Sequence, residues 1–112
     1  MATGMISRIP ANHVLLKRVY LPMDAADGLR ILVDRLWPRG VSKMRAALHS
    51  WNKDIAPSKE LRQWFGHEPA RWAEFCAKYR VELKANAETV EALRALARQE
   101  PVTLLFGGVG AL

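Results

Sequence analysis

The sequence predicts an α/β domain: a small, mostly parallel sheet of about three strands with helices packed on it, in the order β-β-α-α-α-β. Three observations lead there. Ile31-Leu32-Val33 is an unbroken aliphatic run, the pattern of a strand covered on both faces. The stretch from Ser58 to Gln99 carries apolar residues at helical spacing between cap and breaker residues. Val102 to Phe106 is a second apolar run, bounded by Pro101 and Gly107. A long helical connection between two buried strands is how parallel neighbours are joined.

Val14 to Tyr20 reads as the first strand, with Val14, Leu15, Leu16, Val19 and Tyr20 as its β-formers. Leu21 to Gly28 is a turn region closed by the Asp27-Gly28 dipeptide. It is too short for the usual crossover between adjacent parallel strands, so the first two strands are either antiparallel or not neighbours. The second strand runs from about Leu29 to Leu36, where Pro38 removes an amide donor and Gly40 permits a sharp exit. Ser42 suits the N-cap of a short helical turn through Leu48, and Trp51, Ile55 and Pro57 form an irregular apolar connector.

Ser58 is the N-cap of the next helix, with Leu61, Trp64 and Phe65 on one face and Gly66 just past its end. Pro69 opens a longer helix, in which Trp72, Phe75, Cys76, Tyr79 and Leu83 share a face. A third helix, from about Glu88 to Gln99, turns Val90, Leu93, Leu96 and Ala97 inward before Pro101 ends it. Residues 1–13 read as a disordered lead-in, 14–106 as one domain and 107–112 as a glycine-rich tail.

Composition narrows the function classes. The chain has 112 residues, half of them hydrophobic and a quarter charged, as in an ordinary globular domain. Its one cysteine, Cys76, excludes an internal disulfide framework and points to the cytoplasm. No apolar run approaches the roughly 18 residues of a membrane span, and the N-terminus lacks the apolar core of a secretory signal. The net charge of +6 favours anionic partners. The basic residues are scattered, so nucleic acid is weakly supported beside a small anion.

The stretch Arg30 to Gly40 carries the chemistry. Asp34, Arg35, Trp37, Arg39 and Gly40 follow directly on an aliphatic strand, at the edge where open α/β sheets bind ligands. Arg35 and Arg39 are candidates to hold a phosphate or carboxylate through charge-assisted hydrogen bonds. Asp34 is a candidate base or orienting group, and Trp37 a pocket wall. Strand alternation places Asp34 and Arg35 on opposite faces. Gly107, Gly108 and Gly110 follow the last strand and would share that edge if the strands are parallel. His13, His49 and His67 have no metal-like spacing, and no cofactor motif is present.

The run Asp27-Gly-Leu-Arg-Ile-Leu-Val-Asp-Arg-Leu-Trp-Pro-Arg-Gly-Val-Ser-Lys43 resembles the signature of the DUF488 family, in its short YeaO-like branch. Ile55-Ala-Pro-Ser-Lys-Glu-Leu-Arg-Gln-Trp-Phe-Gly-His67, the Trp72–Tyr79 helix and Pro101-Val-Thr-Leu-Leu-Phe106 extend the likeness over most of the chain. The resemblance implies a small bacterial α/β protein and names no catalyst. The family pattern continues after its last strand with a polar loop and a final helix, whereas this chain reads as truncated or divergent after Phe106. The expectation is an uncovered sheet face prone to self-association. Three functional readings follow: binding of an anionic small molecule at the central strand's end, a nucleic-acid-binding or regulatory accessory role, and a truncated relative without activity.

Overall fold

A computed structural model describes residues 14–107. The expected lead-in, and the tail beyond Gly107, lie outside the described residues. The elements in chain order are β1 (Val14–Arg18), β2 (Leu29–Leu32), α1 (Lys43–Ala46), β3 (Ser50–Trp51), α2 (Lys59–Phe65), α3 (Trp72–Ala85), α4 (Ala87–Gln99) and β4 (Val102–Phe106). The strands form one sheet in the order β1-β4-β2-β3, and every pairing is parallel.

This is the α/β class that the sequence predicts, with one more strand. Ser50-Trp51, expected as part of an irregular connector, pairs with Ile31-Leu32. It lacks the run of β-formers that marks a strand, and only the edge of β2 brings it into the ladder. β1 and β2 are not neighbours, because β4 lies between them. The ladder of β2 ends at Leu32 rather than near Leu36. Val33 still donates to the Leu105 carbonyl, but the next carbonyl, that of Asp34, accepts the Trp51 indole N–H at 2.7 Å.

Strand alternation sorts the core into two layers. On one face Ile31 and Val102 meet Ala97, Leu93 and Leu96 of α4. On the other, Leu32, Leu105 and Val19 meet Val41 and Ala46 from the segment leading into and through α1. A third cluster, Leu61, Phe65 and Phe75, joins α2 to α3. The expected face of α3 is only partly inside: Phe75 is buried, while Trp72 is 43% exposed. The edge strand β1 exposes Val14, Leu15 and Leu16.

The caps behave as their residue types dictate. The Ser42 hydroxyl accepts from the Arg45 amide, and the Ser58 hydroxyl from the Leu61 amide. Gly66 ends α2 in the left-handed conformation, its amide donating to the Arg62 carbonyl. Among the described residues no helix is long and apolar enough to cross a membrane.

A charged cluster lies within the sheet layer that faces α1. Asp27 accepts from Lys17 Nζ at 3.0 and 3.1 Å, from Arg30 Nη1 at 2.5 Å and from the Asp24 amide at 3.0 Å. Arg30 also donates through Nε to the Ala46 carbonyl, and the Thr103 hydroxyl donates to the Asp27 carbonyl. Five chain segments thus meet at two buried residues, Asp27 and Arg30.

Candidate functional site

Because the strands are parallel, their carboxyl ends share one edge, and the residues after β1, β2 and β4 converge there. Gly107, the first residue past β4, donates its amide to Asp34 Oδ2 at 2.6 Å. The sequence expectation that β2 and β4 end on the same edge therefore holds. Burial pushes the Asp34 carboxyl above its ordinary value of 3.8, while the Gly107 amide and the Arg62 charge pull it back in part.

That shift has a sign. A carboxyl whose folded value exceeds its unfolded one costs stability when ionised, and the cost sets in as pH rises from about 3.8 through the folded value. Asp34→Asn keeps an acceptor for the Gly107 amide and loses the charge. In thermal melts between pH 3.5 and 7, the variant's stability relative to wild type should therefore increase across that window and then level off. A flat difference would show that the Asp34 charge carries no net cost. Asp34→Ala also removes the charge but leaves the Gly107 amide without its acceptor, so it should follow the same pH trend displaced by about 1 kcal/mol toward lower stability.

Arg35 points away from this carboxylate. Its Nε and Nη2 donate to the carbonyls of Pro57 and Ala56 at 3.3 and 3.2 Å, which fastens the exit of β2 to the segment before α2. Trp37 donates its indole N–H to the Val41 carbonyl at 2.6 Å and meets Trp51 edge-on, with ring centroids 5.4 Å apart. Gly40 takes the left-handed conformation, φ 79°, and a Cβ there would touch nothing, so glycine serves its backbone and not the space around it. Arg39 is exposed; its carbonyl accepts from the Tyr20 hydroxyl at 3.2 Å, and its guanidinium has no hydrogen-bond partner among the described residues.

Tyr20, just beyond β1, gathers two more arginines. The Arg18 guanidinium lies over its ring, 5.6 Å from the centroid, and Arg45 Nη2 donates to its carbonyl at 3.2 Å. Arg18 Nε is buried and has no hydrogen-bond partner among the described residues. None of Arg18, Arg39 and Arg45 pairs with a carboxylate among the described residues, where the ion pairs are Lys17–Asp27, Arg30–Asp27, Lys78–Glu74 and Arg98–Glu91. No group of three or more metal-ligating side chains is assembled among the described residues.

Sequence reasoning named Arg39 and missed its companions. Arg18 and Arg45 are separated from it by 21 and 6 positions and belong to a strand and a short helix. No spacing rule links them, because only the fold-back onto Tyr20 does. Arg62 was equally hidden: on α2 it reads as an ordinary polar position, yet its charge acts on Asp34.

Residues 13–108 match a family model described as "DUF488-N3i: Inactive DUF488-N3 subclade". The chain belongs to the DUF488-N3i family. Two bacterial relatives are close. "Uncharacterized protein YeaO" of Escherichia coli (strain K12) is 45% identical over 94 residues, covering 84% of this chain and 82% of the relative. "Uncharacterized protein Rv3073c" of Mycobacterium tuberculosis is 47% identical over 92 residues, covering 82% of this chain and 77% of the relative. No solved structure matches. The DUF488-N3i match spans every strand of the sheet and all the residues around Asp34 and Tyr20.

Proposed function

We propose that this DUF488-N3i domain is a binding module without turnover, taking a small phosphate or carboxylate anion at the carboxyl edge of its sheet beside Tyr20. One observation carries the reading: the Arg18 and Arg45 side chains and the Arg39 backbone carbonyl all contact Tyr20, and none of the three guanidiniums pairs with a carboxylate among the described residues. A desolvated donor without an acceptor, such as Arg18 Nε, costs about 1–3 kcal/mol, and an anion that supplies the acceptor removes that cost. Arginine is suited to the task because its planar fork meets phosphate and carboxylate oxygens in pairs.

Within this reading Arg39 is the anion ligand, and Gly40 sets the turn that carries it. Trp37 and Arg35 brace the loop, one against Trp51 and the Val41 carbonyl, the other against the Ala56 and Pro57 carbonyls. Asp34 is a positioning residue that holds the end of β4 through Gly107. The family's description as inactive supports a role without turnover.

Thermal shift tests it, using inorganic phosphate, citrate and ribose 5-phosphate on the full chain. Ligand at about 100 times its Kd stabilises the folded state by roughly 2.7 kcal/mol. Wild type should shift upward with at least one of these anions, and Arg39→Ala and Arg18→Gln should shift much less. Equal shifts in wild type and Arg39→Ala would remove the site from consideration. The net charge of +6 leaves nucleic acid as the competing ligand. A short duplex that binds with a steep log-salt slope, while the small anions do not bind, would favour it.

A further inference from the structure

We infer that the turn between α2 and α3 holds a second binding site, for a planar aromatic molecule that carries an anionic group. Phe65, His67, Pro69 and Trp72 line a cavity of about 480 Å³. A second cavity of about 290 Å³ is lined by Arg62, Gln63, Phe65 and His67. Phe65 and His67 wall both, so the two chambers adjoin across these rings. Their sizes fall in or near the range of small-molecule pockets.

The first chamber presents ring faces. Trp72 lies nearly parallel to Phe75, with centroids 5.5 Å apart and planes at 14°, and Phe65 tilts against both. Trp72 is nevertheless 43% exposed, a large aromatic surface left open at a cavity wall. A flat ligand ring can stack where an aliphatic chain would gain only contact area. His67 stands at the junction with its backbone in the left-handed region, φ 59°, and its ring 6.3 Å from that of Phe65. That conformation is uncommon for a residue with a Cβ, though histidine adopts it more readily than most, and it holds the exposed His67 at the junction.

The second chamber supplies the charge. Arg62 has no hydrogen bond or ion pair from its guanidinium among the described residues, and it is close enough to Asp34 for its charge to be felt there. Gln63 adds an amide beside it. No acidic side chain lines either chamber among the described residues; Glu68, next to His67 in the chain, is absent from both walls. Rings without a nearby cation would suit a quaternary ammonium. An unpaired arginine at the adjoining wall reverses that preference and selects a ring with a negative group attached. The site involves none of the arginines beside Tyr20, so it stands or falls separately from the anion site there.

The experiment follows amide resonances of Gln63, His67 and Trp72 in the full chain during titration with four probes. Indole-3-acetate and uridine 5′-monophosphate each join a ring to an anion and distinguish an aromatic carboxylate from a nucleotide as the source. Ribose 5-phosphate has the anion without the aromatic ring, and tetramethylammonium has the opposite charge. At least one ring-bearing anion should move these resonances, and ribose 5-phosphate should bind about tenfold more weakly or worse. Arg62→Gln should weaken the binding about tenfold while the chain still melts cooperatively. His67→Gly removes a wall of the pocket and relieves the left-handed backbone, so it should melt higher and bind more weakly; a misfolded variant could not do both. Arg39→Ala should leave the titration unaltered. The proposal is overturned if neither ring-bearing anion perturbs these residues up to about 10 mM, tenfold above a millimolar Kd. It is equally overturned if both variants bind like wild type, or if tetramethylammonium is the probe that binds.

Discussion

Gly28→Ala should lose more than about 4 kcal/mol of stability, the largest effect of a methyl added at any of the described glycines. Gly28 has φ 64° and ψ −133°, a conformation that is strained for every residue with a Cβ. An added Cβ would also lie 2.2 Å from the Pro101 carbonyl oxygen and 2.8 Å from its carbon. Those atoms are backbone and cannot swing aside. The same oxygen accepts the Leu29 amide at 2.9 Å, the bond next to the first β2–β4 pair, so moving it would open the ladder at its start. For a domain of 60–100 residues each kcal/mol lowers Tm by roughly 4–8 °C, so circular-dichroism melting should fall by about 15 °C or more. A drop of less than about 5 °C would mean that the 28–101 contact relaxes easily.

The second large effect belongs to Asp27, the residue next to it. Asp27→Ala leaves Lys17 and Arg30 without their carboxylate, and Arg30 is 3% exposed. Removing one partner of a buried ion pair costs about 3–5 kcal/mol, because the remaining charge stays desolvated. That is a large part of the roughly 5–15 kcal/mol by which domains of this kind are stable. Asp27→Asn separates charge from shape. It can keep an acceptor for the Asp24 amide but carries no charge, so most of the loss should remain. Chemical denaturation of the two variants measures both, and a near-wild-type Asp27→Asn would show that geometry and not charge holds the cluster.

The same residue sets an acid limit. Burial opposes ionisation of Asp27, yet the Asp24 amide, Lys17 and Arg30 outweigh it and hold the carboxyl below its ordinary 3.8. A depressed carboxyl stabilises the fold above its unfolded value, and that contribution is lost as pH falls from about 3.8 through the folded value. Asp34 acts with the opposite sign, since its raised value makes ionisation unfavourable. Wild type should therefore lose stability as pH falls below about 3.8, and acid melts of Asp27→Asn should lack that contribution to the decline.

The element pattern was legible because each signal is local. The aliphatic runs at Ile31 to Val33 and Val102 to Phe106 mark buried strands, and Ser58 and Gly66 bound α2 where their chemistry places them. The parallel arrangement of β2 and β4 followed from the length of chain between them. Ser50-Trp51 was not legible as a strand, since a two-residue edge strand has no periodicity to read. Nor was the burial of Arg30 visible: an arginine preceding an aliphatic run reads as a solvated strand end until Asp27 and the Ala46 carbonyl are brought to it.

The candidate site divides along the same line. Its residue types around Asp34, Arg39 and Gly40 stand in one stretch of sequence, and a strand end facing a ligand edge is inferable from them alone. Tertiary structure decided which side chains are engaged. It turned Arg35 onto the Ala56 and Pro57 carbonyls and Trp37 onto Val41, and it brought the Arg39 carbonyl to Tyr20, which the Arg18 and Arg45 side chains also contact. By itself the sequence determined the three longer strands, the helices and the edge where polar groups gather, because periodicity and caps act within a few residues. Only the folded sheet decided which charges are neutralised, because hydrogen bonds and ion pairs join side chains that no local spacing connects.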